Sequence, residues 1–599
     1  MSAPALVGDT WIGTGGRRLS LSDFAGRFLL LDFWTLCCVN CHHVLAELRP
    51  IEAQFADILT VVGVHSPKFE FEKDSEAIRS AVQRHGIEHP VLNDPEMSTW
   101  RAYGVRGWPT LVLVDPIGEI VGTWSGEGHG HAIAATITEL TPFYESSGKL
   151  IRGEGYFLAD ITRESVYVQP GKIEVLDGER ILISDSGNHS LAIATFTDPN
   201  SPTQRIGSGK RGFEDGSFAE AQFNEPYGAV VLPREIAEKI DYHVVVADTV
   251  NHALRGINFD TQQVSTLAGT GTQWRPGEPD QGRALDTSLS TPWDVEYRDG
   301  LIYIAMAGDH RIWFFDPVRK TVGITAGTTH EGLVDGPSDQ AWFAQPSALA
   351  NSPEGLWILD SETSSLRKLQ SDVISTSIGT GLFDFGHIDG PAKSARLQHP
   401  LGITTDGEVV YIADTYNGAI RMFNTAKGVV STVARDLAEP SDLCLTPDGK
   451  GLLVVESAIG LVSSISLDET LTITGEEMHT VRPELDIAAG QVTLTVLFTP
   501  PPGQKTDDRY GPSTQLTVGS TPPELIIHGS GTGTELTREL RINPDISHGI
   551  LHVAAKGASC DTDAELIEHS VCHMHQQDWG VPVKVTSLGS KDIQLILAQ

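Results

Sequence analysis

The sequence is short of cysteine, of basic residues and of long apolar runs. Six cysteines in 599 residues are too few for a disulfide-dense scaffold. The 43 lysines and arginines are outnumbered by 78 acidic residues, and the formal net charge of −35 argues against a nucleic-acid partner, because phosphate binding depends on basic side chains. No stretch reaches the about 20 apolar residues that cross a bilayer, so we expect no membrane span.

The first residues, MSAPALVGDTWIG, have neither a basic segment nor an apolar segment of the secretory kind. We therefore expect no secretory signal and a cytoplasmic location. In that reducing compartment, thiols that cluster indicate redox or metal chemistry more than structural disulfides. The length of the chain predicts several domains.

Three of the six cysteines lie within five positions, in LDFWTLCCVNCHH at residues 31–43. The preceding run FLLLDFW, at 28–34, predicts a strand that is buried on both faces. Apolar residues then recur at helical spacing up to Phe55. Further strands and helices alternate as far as about residue 145, which predicts an α/β layer fold.

The segment FWTLCCVNC resembles the thioredoxin active-site turn, and GVRGWPT at 104–110 resembles the cis-proline segment of that family. The resemblance implies that Cys38 and Cys41 form the redox pair, that Pro109 is the cis-proline that contacts substrate, and that Asp32 is the buried acid that relays a proton. Because Cys38 begins a helix, its thiolate is favoured, so we predict Cys38 as the nucleophile and Cys41 as the resolving thiol.

Neighbouring residues are candidates for accessory roles. Cys37 occupies the place of the family's usual tryptophan, as packing or as a third redox partner. Trp34 lies within the first motif and Trp108 within the second. His42, and equally His43, would stabilise a thiolate when protonated, or would simply form a solvated helix face. The motif also fits a fold that has kept its shape without activity, and three thiols offer a poor metal site.

A second pattern recurs between about residues 155 and 465. Six segments each combine an apolar strand, a turn and a second strand, and a proline-containing landmark precedes each of them. The pattern resembles the NHL repeat, and six copies imply a six-bladed β-propeller. The segments are SDSGNHSLAIA, ADTVNHALRGI, AMAGDHRIWFF, LDSETSSLRKL, ADTYNGAIRMF and VESAIGLVSSI.

Four acids share one column of this repeat: Asp185, Asp248, Asp360 and Asp414. Some related propellers are metal-dependent lactonases that use acids lining the channel. The acids here also belong to the turn of the repeat itself, and we favour this structural interpretation over a propeller hydrolase.

The last 130 residues alternate polar and apolar positions between proline- and glycine-rich breaks, which predicts a small all-β sandwich. Within it, SCDTDAELIEHSVCHMHQQDW carries Cys560 and Cys572 beside His569, His573 and His575. These residues are candidates for a second redox pair, for a metal site of zinc or copper type, or for a solvated loop with two reduced thiols.

The order of the three parts resembles the NHL-repeat-containing thioredoxin-like proteins. We predict a thioredoxin-like domain at 1–148, a six-bladed propeller at 149–467 and a β-sandwich at 468–599. The predicted function is cytoplasmic thiol–disulfide exchange on a protein or peptide disulfide, with the propeller and the β-domain recognising the substrate. A non-catalytic interaction scaffold is the alternative. We expect no cofactor and no bound metal, and the sequence leaves the oligomeric state open.

Overall fold

The computed structural model describes residues 2–153, 165–468, 470–480, 482–506, 508, 511–561 and 572–599, with the backbone alone at Cys572. The chain divides into two compact units. The first combines Met1–Ile161 with Val481–Gln599, and the second is Thr162–Thr480. The N-terminal and C-terminal parts therefore pack as one body. The predicted boundaries after residues 148 and 467 stay predictions.

The N-terminal part has a thioredoxin-like arrangement of strands and helices. Its strands are β1 Thr10–Ile12, β2 Phe28–Trp34, β3 Leu59–His65, β4 Val91–Asn93, β5 Thr110–Val114 and β6 Ile120–Ser125. Its helices are α1 Val39–Gln54, α2 Ser75–Arg84, α3 Ser98–Ala102 and α4 Gly130–Ser146. Strand β2 pairs parallel with β3 and antiparallel with β5, so it is central to the sheet.

Every residue of β2 is buried, as its continuous apolar run predicts. Phe28 and Leu30 pack in one core cluster with residues of α1 and α4, and Trp34 packs in another with residues of α1 and α2. Leu29, Leu31 and Phe33 pack on the opposite face of the sheet. Because side chains alternate along a strand, Asp32 projects toward α1, between Leu30 and Trp34.

The C-terminal part is all-β. Its strands are β36 Leu485–Ala488, β37 Gly490–Phe498, β38 Gln504–Lys505, β39 Thr514–Thr521, β40 Ile526–His528, β41 Gly531–Gly533, β42 Thr537–Ile542, β43 His548–Asp561, β44 Cys572–Thr586 and β45 Asp592–Ala598. Strand β45 lies beside β6, so one ten-stranded sheet runs from the thioredoxin-like part into the C-terminal part. A second sheet holds β36, β44, β43, β39 and β41, with β38 beside β43. One apolar core joins residues of both sheets.

The second unit consists of many short strands. They are β7 Ile173–Val175, β8 Arg180–Asp185, β9 Ser190–Thr195, β10 Gln204–Ile206, β11 Gly216–Ser217, β12 Pro226–Val231, β13 Val244–Asp248, β14 Ala253–Asn258, β15 Gln263–Ala268, β16 Gly282–Arg283, β17 Pro292–Arg298, β18 Leu301–Met306, β19 Arg311–Asp316, β20 Thr321–Ala326, β21 Gly336–Pro337, β22 Pro346–Ser352, β23 Gly355–Asp360, β24 Ser365–Gln370, β25 Val373–Ile378, β26 Asp384–Ile388, β27 Gly390–Pro391, β28 Gly402–Thr405, β29 Val409–Asp414, β30 Ala419–Asn424, β31 Val429–Ala434, β32 Pro440–Leu445, β33 Gly451–Glu456, β34 Leu461–Ser466 and β35 Thr474–His479. A short helix, α5 Arg234–Ile240, joins β12 to β13.

These strands form six successive antiparallel sheets of three to five strands, and β26 pairs separately with β35. One strand from each sheet contacts the corresponding strand of the next, in the order β7, β12, β17, β22, β28 and β32, and β32 contacts β7. The ring is closed by Asn200, whose side-chain amide exchanges hydrogen bonds of 2.9 and 2.8 Å with the backbone of Val462. A closed ring of six sheets is the architecture of a propeller.

The predicted fold class is therefore confirmed: a thioredoxin-like fold, a series of short-strand sheets that form a propeller, and a C-terminal all-β region. No helix among the described residues is long and apolar enough to span a bilayer.

Candidate active site

Cys38 and Cys41 lie at the start of α1 and are joined by a disulfide bond. Cys38 is the N-cap residue, and its sulfur accepts a 3.1 Å hydrogen bond from the backbone N–H of Cys41. Cys38 is 7% exposed and Cys41 is fully buried. Cys38 is thus the more accessible sulfur and lies against the positive end of the helix dipole, the position that favours a thiolate.

Asp32 is a buried carboxyl group on the face of β2 that α1 covers. It is 0% exposed, and neither of its oxygens has a hydrogen-bond partner among the described residues. Burial raises its pKa to about 7, while the nearby His89 lowers that pKa and Glu52 raises it. An acid with a pKa near neutrality is able both to accept and to release a proton under physiological conditions.

Glu72, which no sequence pattern indicated, organises the loop before α1. Its carboxylate is fully buried and accepts hydrogen bonds from the backbone N–H groups of Cys37 at 2.8 Å, Lys68 at 2.7 Å and Phe69 at 3.0 Å. The hydroxyl of Thr35 donates a fourth bond of 2.7 Å. Glu72 comes from a short 3-10 turn, so no periodicity marked it as buried. Its role depends on tertiary contacts alone.

The peptide bond between Trp108 and Pro109 is cis, and the C-terminal part lies against it. The side-chain amide of Gln577, on β44, donates a 3.4 Å hydrogen bond to the carbonyl oxygen of Trp108. A Cβ atom at Gly107 would lie 3.2 Å from Gln577 Nε2 and 3.2 Å from Trp579 Cδ1, so a larger residue here would require these two side chains to shift by a few tenths of an ångström. Part of the backbone beside Pro109 is therefore covered by the chain's own C-terminal strand.

The candidate accessory residues are in different environments. Cys37 is buried and takes no part in a disulfide. Trp34 is fully buried, with its ring 5.2 Å from that of His65. Trp108 donates a 2.9 Å hydrogen bond from its indole to Ser66 O. Burial is the main cause that lowers the pKa of His42 to about 3, and a neutral imidazole adds no positive charge beside the thiolate.

His43 is the other histidine that follows the cysteines. It is buried, and its Nδ1 lies 2.6 Å from a carboxylate oxygen of Glu127. Glu127 itself forms a β-bridge with Gln576 of the C-terminal part. His43 therefore belongs to the contact between the two parts and not to a solvated helix face.

The C-terminal cysteine cluster is described in part. Cys560 is disulfide-bonded, and the backbone pairs it directly with Cys572 across β43 and β44. His573 Nε2 lies 3.1 Å from Asp561, and His575 Nδ1 lies 3.1 Å from Nδ1 of His129 at the start of α4. His569 and the side chain of Cys572 lie outside the described residues, so the proposed second redox pair stays a prediction.

The repeated acids of the propeller are structural. Asp248, Asp360 and Asp414 are fully buried, and each accepts a backbone N–H bond of 2.7 to 2.8 Å and pairs with a buried arginine of its own sheet. Asp185 likewise binds a backbone N–H and Arg205. In the part of the chain that the structure describes, no group of three or more His, Cys, Asp or Glu residues is arranged to hold a metal ion.

Comparisons with known proteins agree with this geometry. A family model described as thioredoxin-like matches residues 26–120. The chain is 33% identical to NHL repeat-containing protein 2 of Bos taurus over 520 residues, which cover 78% of this chain and 70% of that protein. It is 24% identical to the thiol-disulfide oxidoreductase ResA of Bacillus thuringiensis over 127 residues, which cover 21% of this chain and 71% of that protein.

A plant relative is longer than this chain. The protein SUPPRESSOR OF QUENCHING 1, chloroplastic, of Arabidopsis thaliana is 35% identical over 499 residues. The match covers 77% of this chain but only 46% of the plant protein.

Proposed function

Because the chain belongs to the family of NHL repeat-containing protein 2, with a thioredoxin-like domain at its start, we propose that it is a thiol–disulfide oxidoreductase. The observation that carries the proposal is the Cys38–Cys41 pair at the N-terminus of α1, on a sheet face that also buries Asp32. In the reducing direction, Cys38 attacks a substrate disulfide, and Cys41 then resolves the mixed disulfide, releasing a dithiol and forming the Cys38–Cys41 bond.

The substrate that we propose is a protein or peptide disulfide. Gln577 and Trp579 of β44 narrow the space beside Trp108 and Pro109, so the C-terminal part restricts which segments approach Cys38. We propose that the propeller recognises the same substrate. We also propose that the protein is located in the cytoplasm, which subcellular fractionation tests.

A dithiothreitol-driven insulin-reduction assay tests the proposal. Wild type should reduce insulin faster than dithiothreitol alone, and Cys38→Ser should return the rate to that background. Cys444→Ser is the matched control, because Cys444 is a buried thiol of the propeller whose pKa is raised by burial. Equal rates for wild type and Cys38→Ser would contradict catalysis of insulin reduction by this pair, and they would favour the scaffold if dithiothreitol also fails to reduce the Cys38–Cys41 disulfide.

A further inference from the structure

Asp32 raises a question that the cysteine pair leaves open, namely how a fully buried acid exchanges its proton with solvent. The carboxyl group is fully buried on the face of β2 that α1 covers, and it has no hydrogen-bond partner among the described residues. Thiol–disulfide exchange at Cys41 takes up or releases a proton. An isolated buried acid can transfer one proton to or from Cys41, but it must exchange a proton with solvent before it can act again. A route to solvent is therefore required.

Gly63 is the residue of β3 beside Asp32, and its surroundings show which side chain lies next to the acid. Gly63 is the direct partner of Asp32 across the parallel pair of β2 and β3, and partners in register project to the same face of the sheet. A Cβ atom at Gly63 would lie 3.5 Å from His89 Nε2 and 2.9 Å from Trp34 Nε1. The first of these distances is ordinary van der Waals contact, so the His89 ring lies beside the face of the sheet that carries Asp32.

His89 connects this buried face with an open cavity. Its side chain is 4% exposed, and its Nδ1 lies 3.0 Å from a carboxylate oxygen of Glu52, whose side chain is 29% exposed. Its Nε2 has no hydrogen-bond partner in the residues that the structure describes. Both residues line a cavity of about 330 Å³ between α1 and the segment that follows α2. With Nδ1–H donated to Glu52, Nε2 carries the lone pair that accepts a proton.

The other charged and titratable groups at this cavity have different partners. Arg49 on α1 donates a 2.6 Å hydrogen bond to the carbonyl oxygen of His85, and the His85 ring stacks on His42 at 3.9 Å. Glu88 lies at the exposed rim. The groups that act electrostatically on Asp32 are His89 and Glu52.

We propose that His89 and Glu52 form the proton route between the buried Asp32 and solvent, an inference that rests on the proposed redox chemistry of Cys38 and Cys41. When Cys41 is the attacking thiol, its proton passes to the Asp32 carboxylate. Asp32 passes the proton through a water molecule to His89 Nε2, and His89 releases the proton on Nδ1 to Glu52, which exchanges with the cavity. When the disulfide is reduced, the proton moves in the opposite direction, from Glu52 through His89 and Asp32 to the Cys41 thiolate that is released.

The test is the rate at which dithiothreitol reduces the Cys38–Cys41 disulfide in the full-length protein, followed by tryptophan fluorescence or by thiol labelling. His89→Gln keeps a side chain that can bond to Glu52 but cannot relay a proton as imidazole does. We expect His89→Gln and Glu52→Gln to slow reduction by about 10-fold or more at neutral pH. Glu88→Gln, which lines the same cavity outside the route, should stay within about 2-fold of wild type, as a surface change does.

Added imidazole supplies the readout that separates proton transfer from structure. It should restore the rate of His89→Gln and leave wild type unchanged, because a buffer molecule entering the cavity replaces the missing relay. Unchanged rates in His89→Gln, or slow rates that imidazole does not restore, would overturn the proposal. A wild-type disulfide that resists dithiothreitol would instead contradict the redox function itself, and insulin reduction that fails while this exchange proceeds would contradict only the proposed substrate.

Discussion

Two buried carboxylates, Asp248 of the propeller and Asp32 of the other unit, have opposite surroundings. In the propeller, Asp248 accepts a backbone N–H bond of 2.8 Å and pairs at 2.7 Å with Arg255, and both side chains are fully buried. In the thioredoxin-like part, Asp32 is equally buried but has no such partner in the described chain. Glu72, in the same unit as Asp32, resembles Asp248, because both of its oxygens accept hydrogen bonds from backbone N–H groups, at Cys37 and at Lys68. A buried acid with every oxygen satisfied stabilises a fold, whereas an unsatisfied one is available for proton transfer.

The largest expected effect comes from removing the partner of a satisfied acid. Arg255→Met should lower the free energy of unfolding of the propeller by about 3–5 kcal/mol, since it leaves Asp248 as a buried charge without its counterion. Urea denaturation measures the change. Arg180→Met, which removes an exposed pair with Asp177, is the control and should cost less than about 1 kcal/mol. Equal losses in the two variants would contradict the structural role of the repeated acids.

At Asp32, by contrast, we expect a substitution to raise the free energy of unfolding. Its pKa of about 7 in the folded protein lies above the ordinary value of 3.8, so the native state keeps this proton at pH values where the unfolded chain has lost it. The stabilisation is complete below about pH 4 and is lost as the pH rises toward 7. Asp32→Asn should therefore be more stable than wild type at pH 8, by up to about 4 kcal/mol, and should slow reduction of the disulfide.

The pH dependence is the decisive part of that experiment. The difference in unfolding free energy between Asp32→Asn and wild type should shrink as the pH falls from 8 to 4. A difference that does not change with pH would mean that folding does not raise the pKa of Asp32.

Glu72 should give the smallest effect of the three acids. Glu72→Gln keeps the shape of the side chain but replaces one acceptor oxygen by a donor, so at least one of its four hydrogen bonds is lost. We expect a loss of about 1–2 kcal/mol in unfolding free energy. Glu76→Gln, on the exposed face of α2, is the matched control and should change stability by less than about 0.5 kcal/mol. If the two variants change the free energy of unfolding by the same amount, Glu72 does not stabilise the loop before α1.

Local patterns in the sequence were sufficient for much of the fold. The apolar run at 28–34 predicted the buried strand β2, and the repeated strand–turn–strand segments predicted the six sheets. The cysteine spacing placed Cys38 and Cys41 at the start of a helix. These features are local because they depend on side-chain period, on turn residues and on helix geometry, each of which is encoded within a few neighbouring positions.

Other features required long-range contacts. Nothing near Glu72 indicated that its carboxylate binds the N–H group of Cys37, 35 residues earlier in the chain. His89 and Glu52 are 37 residues apart, and their pairing exists only because α1 packs beside the segment before β4. The contact of Gln577 with the carbonyl of Trp108 joins positions 469 residues apart.

The sequence by itself determined which reactive groups and repeats the chain carries, because a C-x-x-C pair, an acid six residues before it and a strand–turn repeat are defined by residue type and spacing. Only the tertiary structure decided which residues surround these groups. Strand β45 continues the thioredoxin-like sheet beside β6, and this pairing joins the last residues of the chain to the first part of it. The physical reason is that the burial of a group and its hydrogen bonds depend on which distant segments come into contact. The spacing of residues along the chain does not specify those contacts.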